Sequence, residues 1–246
     1  MAARPGAGAG APPGRRAPRP VVVLLGDSLT QRGGAVAGGA PGWAARLGEL
    51  YARRADVVNR GLSGYNTRWV LPELPVLLGG AAAGAALVVV WLGANDAALS
   101  AGDSAAQHVP LAEYRDNLRA ILGHVKALPG NPRALLITPP PVHETSRLRF
   151  TGGAAPERTI AAAAAYARAC LEVAQETDTL ALSLWDGLME GGSLSWEEML
   201  CDGLHLSPSG EELVYDLVVK AIEGTDLAPS ALPMDVPDWK DLASGG

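Results

Sequence analysis

Four side chains in this sequence could do acyl-transfer chemistry together: Ser28, Asn95, Asp202 and His205. Acyl transfer requires a nucleophile, a base to take its proton, a group to orient the base and donors for the oxyanion. Ser28 supplies a hydroxyl and His205 an imidazole. Asp202 lies three residues before that imidazole, so a turn would let its carboxylate hold one ring nitrogen while the other faces Ser28. Asn95 is either a turn residue or an oxyanion donor, aided by the backbone N–H groups of Gly64 and Ser28. Asp27 is read as a structural turn or cap, and Asp96 as a brace for its loop.

These residues are brought together only if the elements around them form a parallel sheet. Apolar runs at 21–25, 55–61, 86–93, 134–141 and 180–188 read as strands. Helical patterns separate them at 42–54, 111–128, 157–176 and 207–222, and a partly helical, proline-interrupted segment covers 66–78. Ser207 followed by Pro208 predicts the start of the last helix. Strict alternation of strand and helix predicts an α/β fold: a three-layer α/β/α sandwich with a central, mostly parallel five-stranded sheet. Ligands of such sheets bind beyond the carboxyl ends of the strands. Gly26-Asp27-Ser28, Ser63-Gly64-Tyr65-Asn66 and Gly93-Ala94-Asn95-Asp96 follow the first three strands, and Asp202 and His205 precede the last helix. Gly26 is expected to permit a sharp turn that projects the Ser28 hydroxyl. The G-x-S-x-G elbow is absent, since position 30 is Thr.

Other chemistries are less well served. His108, His124 and His143 are the remaining histidines, and only His143, after the fourth strand, competes with His205 as base. A metal-dependent hydrolase built on Asp27, Asn95, Asp96, Asp202 and His205 would have one imidazole, where catalytic zinc gathers several His or Cys ligands. A phosphate-binding, non-catalytic doubly wound protein would be expected to carry a G-x-G-x-x-G or P-loop pattern, and neither occurs.

The formal net charge of -6 over 246 residues disfavours a nucleic-acid partner. No apolar run approaches the ~18 residues of a membrane span. Cys170 and Cys201 are far apart and lack metal-type spacing, which favours free thiols in a reducing, cytoplasmic setting. Residues 1–20 are rich in Arg, Gly and Pro and lack acidic residues. They read as a disordered low-complexity tail, with an organelle transit peptide as the alternative. Residues 21–224 read as the folded domain and 225–246 as a surface strap, with Trp239 as its anchor. Homodimer formation stays open.

The blocks "GDSLTQ", "GLSGYNT", "GAND" and "DGLHLS", in that order, resemble those of the SGNH (GDSL-type) hydrolase superfamily. "RGLSGYNTRWVL", "LGANDA", "ITPPPV", "DGLHLSPSGEELV" and "DVPDWKDL" are similar to its isoamyl acetate-hydrolysing esterase branch, a likeness covering about Val21 to Leu242. The resemblance implies the flavodoxin-like SGNH fold and a serine esterase acting on short-chain, acetate-type esters through an acyl-enzyme. It assigns Ser28, Asp202 and His205 to a catalytic triad and Gly64 and Asn95 to the oxyanion site, with no metal or organic cofactor and a small-molecule ester as partner. Within that reading, O-acetylated sugars or lipid acyl esters are the alternative substrates. Residues 143–156 are expected to form the loop where acyl specificity varies.

Overall fold

A computed structural model describes residues 18–37, 39–190 and 194–244. Most of the low-complexity tail, residues 1–17, therefore lies outside the described residues. Five strands form the central sheet: β1 (Val21–Gly26), β2 (Asp56–Gly61), β3 (Ala85–Trp91), β4 (Arg133–Ile137) and β5 (Leu180–Leu182). All neighbours are parallel, in the order β2-β1-β3-β4-β5. The helices used below are α1 (Ser28–Arg32), α2 (Trp43–Leu50), α3 (Thr67–Val70), α4 (Leu111–Lys126), α5 (Glu144–Thr151), α6 (Ile160–Glu176), α7 (Leu184–Met189) and α8 (Pro208–Ile222).

Successive strand side chains point to opposite faces, and both faces of β1 are covered. Val22 and Leu24 pack with Trp43, Leu47 and Tyr51 around α2 and with Val214, Val218 and Ile222 of α8. Val23 and Leu25 pack on the other face with Val70 of α3, Tyr114 and Leu118 of α4, and Tyr166 and Val173 of α6. This is the expected three-layer sandwich. Its register aligns Gly26 with Gly61 on one side and Trp91 on the other, so the loops after β1, β2 and β3 leave the sheet side by side.

Several expectations are corrected in detail. The fifth strand ends at Leu182, because the Ser183 side chain accepts the Asp186 N–H and starts α7 in the stretch read as strand. Helix α6 begins at Ile160, with the Thr159 hydroxyl accepting the Ala162 N–H at 3.1 Å, so Glu157 and Arg158 precede it. The supposed loop at 143–156 contains α5. Trp239 does not anchor the strap, being 69% exposed. That segment is held by Tyr51, whose hydroxyl donates to Leu227 O at 2.6 Å, and by ion pairs from Arg19 and Arg53 to Asp235. At the start of α8 the expected cap is present: Ser207 Oγ accepts the Gly210 N–H, and Pro208 is the first helical residue.

Candidate active site

Ser28 is the first residue of α1, directly after the Asp27 cap. The first amides of a helix have no intrahelical acceptor, so the Ser28 N–H is not consumed by α1. Gly26 is needed there for close approach rather than for an unusual turn: a Cβ would lie 2.1 Å from Thr30 Oγ1 and 2.6 Å from Trp91 O.

The Ser28 Oγ lies 2.9 Å from His205 Nε2, and His205 Nδ1 lies 2.7 Å from Asp202 Oδ2. A carboxylate can only accept, so Nδ1 carries the proton and Nε2 is left to accept from the serine hydroxyl. All three residues are buried. Asp202 Oδ1 also accepts the backbone N–H of His205 at 2.8 Å and of Leu204 at 3.0 Å. Burial opposes ionisation of Asp202. The His205 ring and these two amides outweigh it and hold the carboxyl well below the usual carboxylate range. The tight turn between Asp202 and Leu204 passes through Gly203 at φ +83, where a Cβ would meet His143 O and Arg147 N at 2.5 Å.

Asn95 donates from Nδ2 to Tyr65 O at 2.8 Å and accepts at Oδ1 from Arg158 Nη2 at 3.0 Å. The Gly64 turn is tied to the same group, since Gln107 Nε2 donates to Gly64 O and Gln107 Oε1 accepts from Arg158. The structure thus gathers the five expected residues into two sets: Ser28, His205 and Asp202 hydrogen-bonded in line, and Gly64 and Asn95 linked through Gln107 and Arg158. Asp96 accepts from the Thr67 N–H and hydroxyl, which fits a brace; burial raises it to about 6 despite these bonds. Asp27 accepts the Leu29 N–H at 2.9 Å. Burial raises it to about 7, opposed by that amide and reinforced by the Asp96 charge.

His143 has other partners than Ser28 and Asp202. Its Nδ1 pairs with Ser146 Oγ at 2.8 Å and its ring meets Trp196 edge-on. His108 is bonded to Ala98 O. The proposed metal ligands are not assembled: among the described residues no group of three or more His, Cys, Asp or Glu could hold an ion.

Arg147, Glu157, Arg158 and Gln107 were not legible as site residues. Arg147 donates to Asp202 Oδ2 at 3.1 Å and to Glu157 Oε1 at 2.7 Å, and Arg158 donates to the same Glu157 oxygen at 2.6 Å. Thr159 was the available signal, because a helix cap there leaves Glu157 and Arg158 in the preceding loop.

A cavity of 240 Å³ opens beside Ser28, lined also by Leu29, Pro41, Cys201, His205 and Leu206 among others. A larger hollow of 500 Å³ lies at the amino ends of β3 and β4, among Lys126, Arg133, Asp178 and Asp226, and contains no serine, cysteine or histidine. Chemistry rather than size therefore selects the first. Among the described residues, no helix is long and apolar enough to cross a membrane.

Residues 24–213 match the model of the GDSL-like Lipase/Acylhydrolase family. The chain is 39% identical over 228 residues to GDSL esterase/lipase At5g62930 of Arabidopsis thaliana, covering 89% of this chain and 92% of that protein. It is 39% identical over 229 residues to the isoamyl acetate-hydrolyzing esterase 1 homolog of Bos taurus, covering 91% and 88%. Among solved structures, the lipase/acylhydrolase from Enterococcus faecalis superposes with a TM-score of 0.68 at 24% identity, over 89% of this chain and 100% of that one.

Proposed function

This chain belongs to the GDSL-like lipase/acylhydrolase family and is a carboxylic ester hydrolase, and from that premise we propose that it cleaves short-chain, acetate-type esters with Ser28 as nucleophile. The single observation carrying this reading is the buried line of hydrogen bonds from Ser28 Oγ through the His205 ring to Asp202. The small cavity beside Ser28, walled by Leu29, Pro41 and Leu206, supports a short apolar substituent. The bovine relative's printed name points the same way.

Ser28 Oγ attacks the ester carbonyl carbon while its proton passes to His205 Nε2. The carbonyl oxygen becomes an oxyanion and is held by the N–H groups of Ser28 and Gly64 and the side-chain amide of Asn95. The carbon–oxygen bond to the alcohol breaks, and the imidazolium returns its proton to the leaving oxygen. Water then attacks the acyl-serine carbonyl while His205 takes its proton; the bond from the acyl carbon to Ser28 Oγ breaks, the imidazolium returns the proton to Oγ, and the carboxylic acid leaves. Asp202 stays ionised throughout and stabilises the imidazolium. Its low proton affinity suits that duty, because it does not compete for the proton His205 carries. The free thiols at Cys170 and Cys201 support a reducing, cytoplasmic setting.

The test is a p-nitrophenyl ester series from acetate to octanoate, with a fluorophosphonate probe and peptide mapping. The expected result is highest kcat/KM at the short end, labelling at Ser28, and loss of turnover in a folded Ser28→Ala variant. Label on another serine, or turnover surviving in S28A, would end the assignment. A maximum at octanoate would move the substrate to lipid acyl esters.

A further inference from the structure

We propose that Arg158 is a positioning residue that orients both oxyanion donors, the Asn95 amide directly and the Gly64 turn through Gln107. The proposal rests on the triad and oxyanion reading above and adds to it the group that sets donor geometry.

Arg158 sits immediately before the Thr159 cap of α6 and is only 2% exposed. Burying a guanidinium is costly unless every N–H is met. Here Nε donates to Ala94 O at 3.1 Å, and Nη1 to Glu157 Oε1 at 2.6 Å and Ser104 Oγ at 3.4 Å. Nη2 donates to Asn95 Oδ1 at 3.0 Å and Gln107 Oε1 at 2.6 Å. The fork thus spans the loop after β3 and the Gln107 side chain, which a point charge such as lysine could not do.

The consequence for Asn95 follows from donor and acceptor roles. A carboxamide can turn over and exchange its oxygen for its nitrogen. Arg158 can only donate, so it must face Oδ1; Tyr65 O can only accept, so it must face Nδ2. Both partners demand the same orientation. One N–H of the amide serves Tyr65, and the other is left for a substrate oxyanion. The turned-over amide would present an oxygen where negative charge develops. Gln107 obeys the same logic: Arg158 takes its oxygen, and its Nε2 then donates to Gly64 O at 3.0 Å, holding the peptide turn that carries the second donor.

The guanidinium is itself fixed from the triad side. Glu157 Oε1 accepts from both Arg158 and Arg147, and Arg147 reaches Asp202 Oδ2. One largely buried run of ion pairs, Asp202–Arg147–Glu157–Arg158, ending in the Arg158–Asn95 hydrogen bond, therefore joins the acid of the triad to the amide of the oxyanion site. The Ser28 hydroxyl bonds to His205 rather than to any of the three linking residues.

The experiment is a double-mutant cycle between Arg158→Met and Asn95→Ala, read as kcat and KM on a p-nitrophenyl acetate substrate. Arg158→Met is expected to lower kcat by about tenfold to a hundredfold with KM within about twofold, because the lost interaction matters only once charge develops. In the N95A background the same substitution should cost less than about threefold, since its main target is gone. Wild-type kcat in R158M, or the full loss repeated in N95A, would overturn the proposal while leaving the triad intact. Wild-type kcat in N95A beside an inactive S28A would instead overturn Asn95 as a donor, and this proposal with it. Should R158M fail to fold, Arg158→Lys keeps the buried charge without the fork. It is expected to lose at least about fivefold in kcat, again only with Asn95 present; unchanged kcat in R158K would overturn the proposal.

Discussion

Asp27 immediately precedes Ser28 and is fully buried, with one carboxylate oxygen on the Leu29 amide. Its folded-state value of about 7 stands above the 3.8 of an unperturbed Asp, burial being the main cause. Between those two values the folded chain holds a proton that the unfolded chain has released. Asp27 therefore favours folding at low pH, and that contribution is lost as pH rises from about 4 to 7. Asp27→Asn removes this titration and keeps an acceptor for Leu29. Its stability relative to the wild type is expected to improve by about 2–3 kcal/mol between pH 5 and pH 8 in denaturant unfolding. A pH-independent difference would contradict the assignment. Asp202 has the opposite sign: its lowered value stabilises the fold above the ordinary Asp range and is lost only in strong acid. Asp202→Asn is expected to cut kcat by about 10³–10⁴, through loss of the partner that fixes the His205 tautomer, and kinetics on an acetate ester check it.

Helix α5 and the turn after Cys201 depend on one another. The His143 N–H donates to Gly203 O at 2.9 Å, and the helix backbone rests where a Gly203 Cβ would be. Gly203→Ala is therefore expected to push α5 off the triad turn, destabilising the protein by about 2 kcal/mol or more and lowering kcat. Thermal melts and initial rates would show both, and a neutral variant would mean the turn relaxes freely. This region also marks the limit of what the sequence discloses. The first, third and fourth strands were legible as continuous apolar runs and the second by its Val57-Val58 pair, and Ser28, His205 and Asp202 as polar residues after the first strand or before helix α8. The fifth strand reads too long because "LWDGL" suits a short helix as well as a strand, and only the Ser183 cap decides between them. Arg158 was hidden because Glu, Arg and Ala all favour helix, so the helical pattern ran through it to a false start. The contacts of Arg147 with Asp202 join residues 55 apart, and no local pattern reports such a pairing.

Over the whole molecule, the amino ends of the strands and their carboxyl ends carry separate duties. The strap packs at the amino ends, where Leu227 is buried, Tyr51 donates to its carbonyl, and Arg19 bridges Asp235 and Asp56. Deleting residues 225–246 is expected to lower Tm by roughly 5–10 °C while leaving kcat/KM per folded molecule unchanged. Calorimetry together with active-serine titration checks this; a matching fall in kcat/KM would show that the two ends are coupled. The carboxyl ends assemble their chemistry from distant parts of the chain. Ser28 and His205, joined by one hydrogen bond, are 177 residues apart. A ribosome adding ~5–20 residues per second incorporates Ser28 roughly 9–35 s before His205. A nascent chain is thus inert towards esters for most of its synthesis, and any product that stops short of His205 carries a serine with nothing to take its proton.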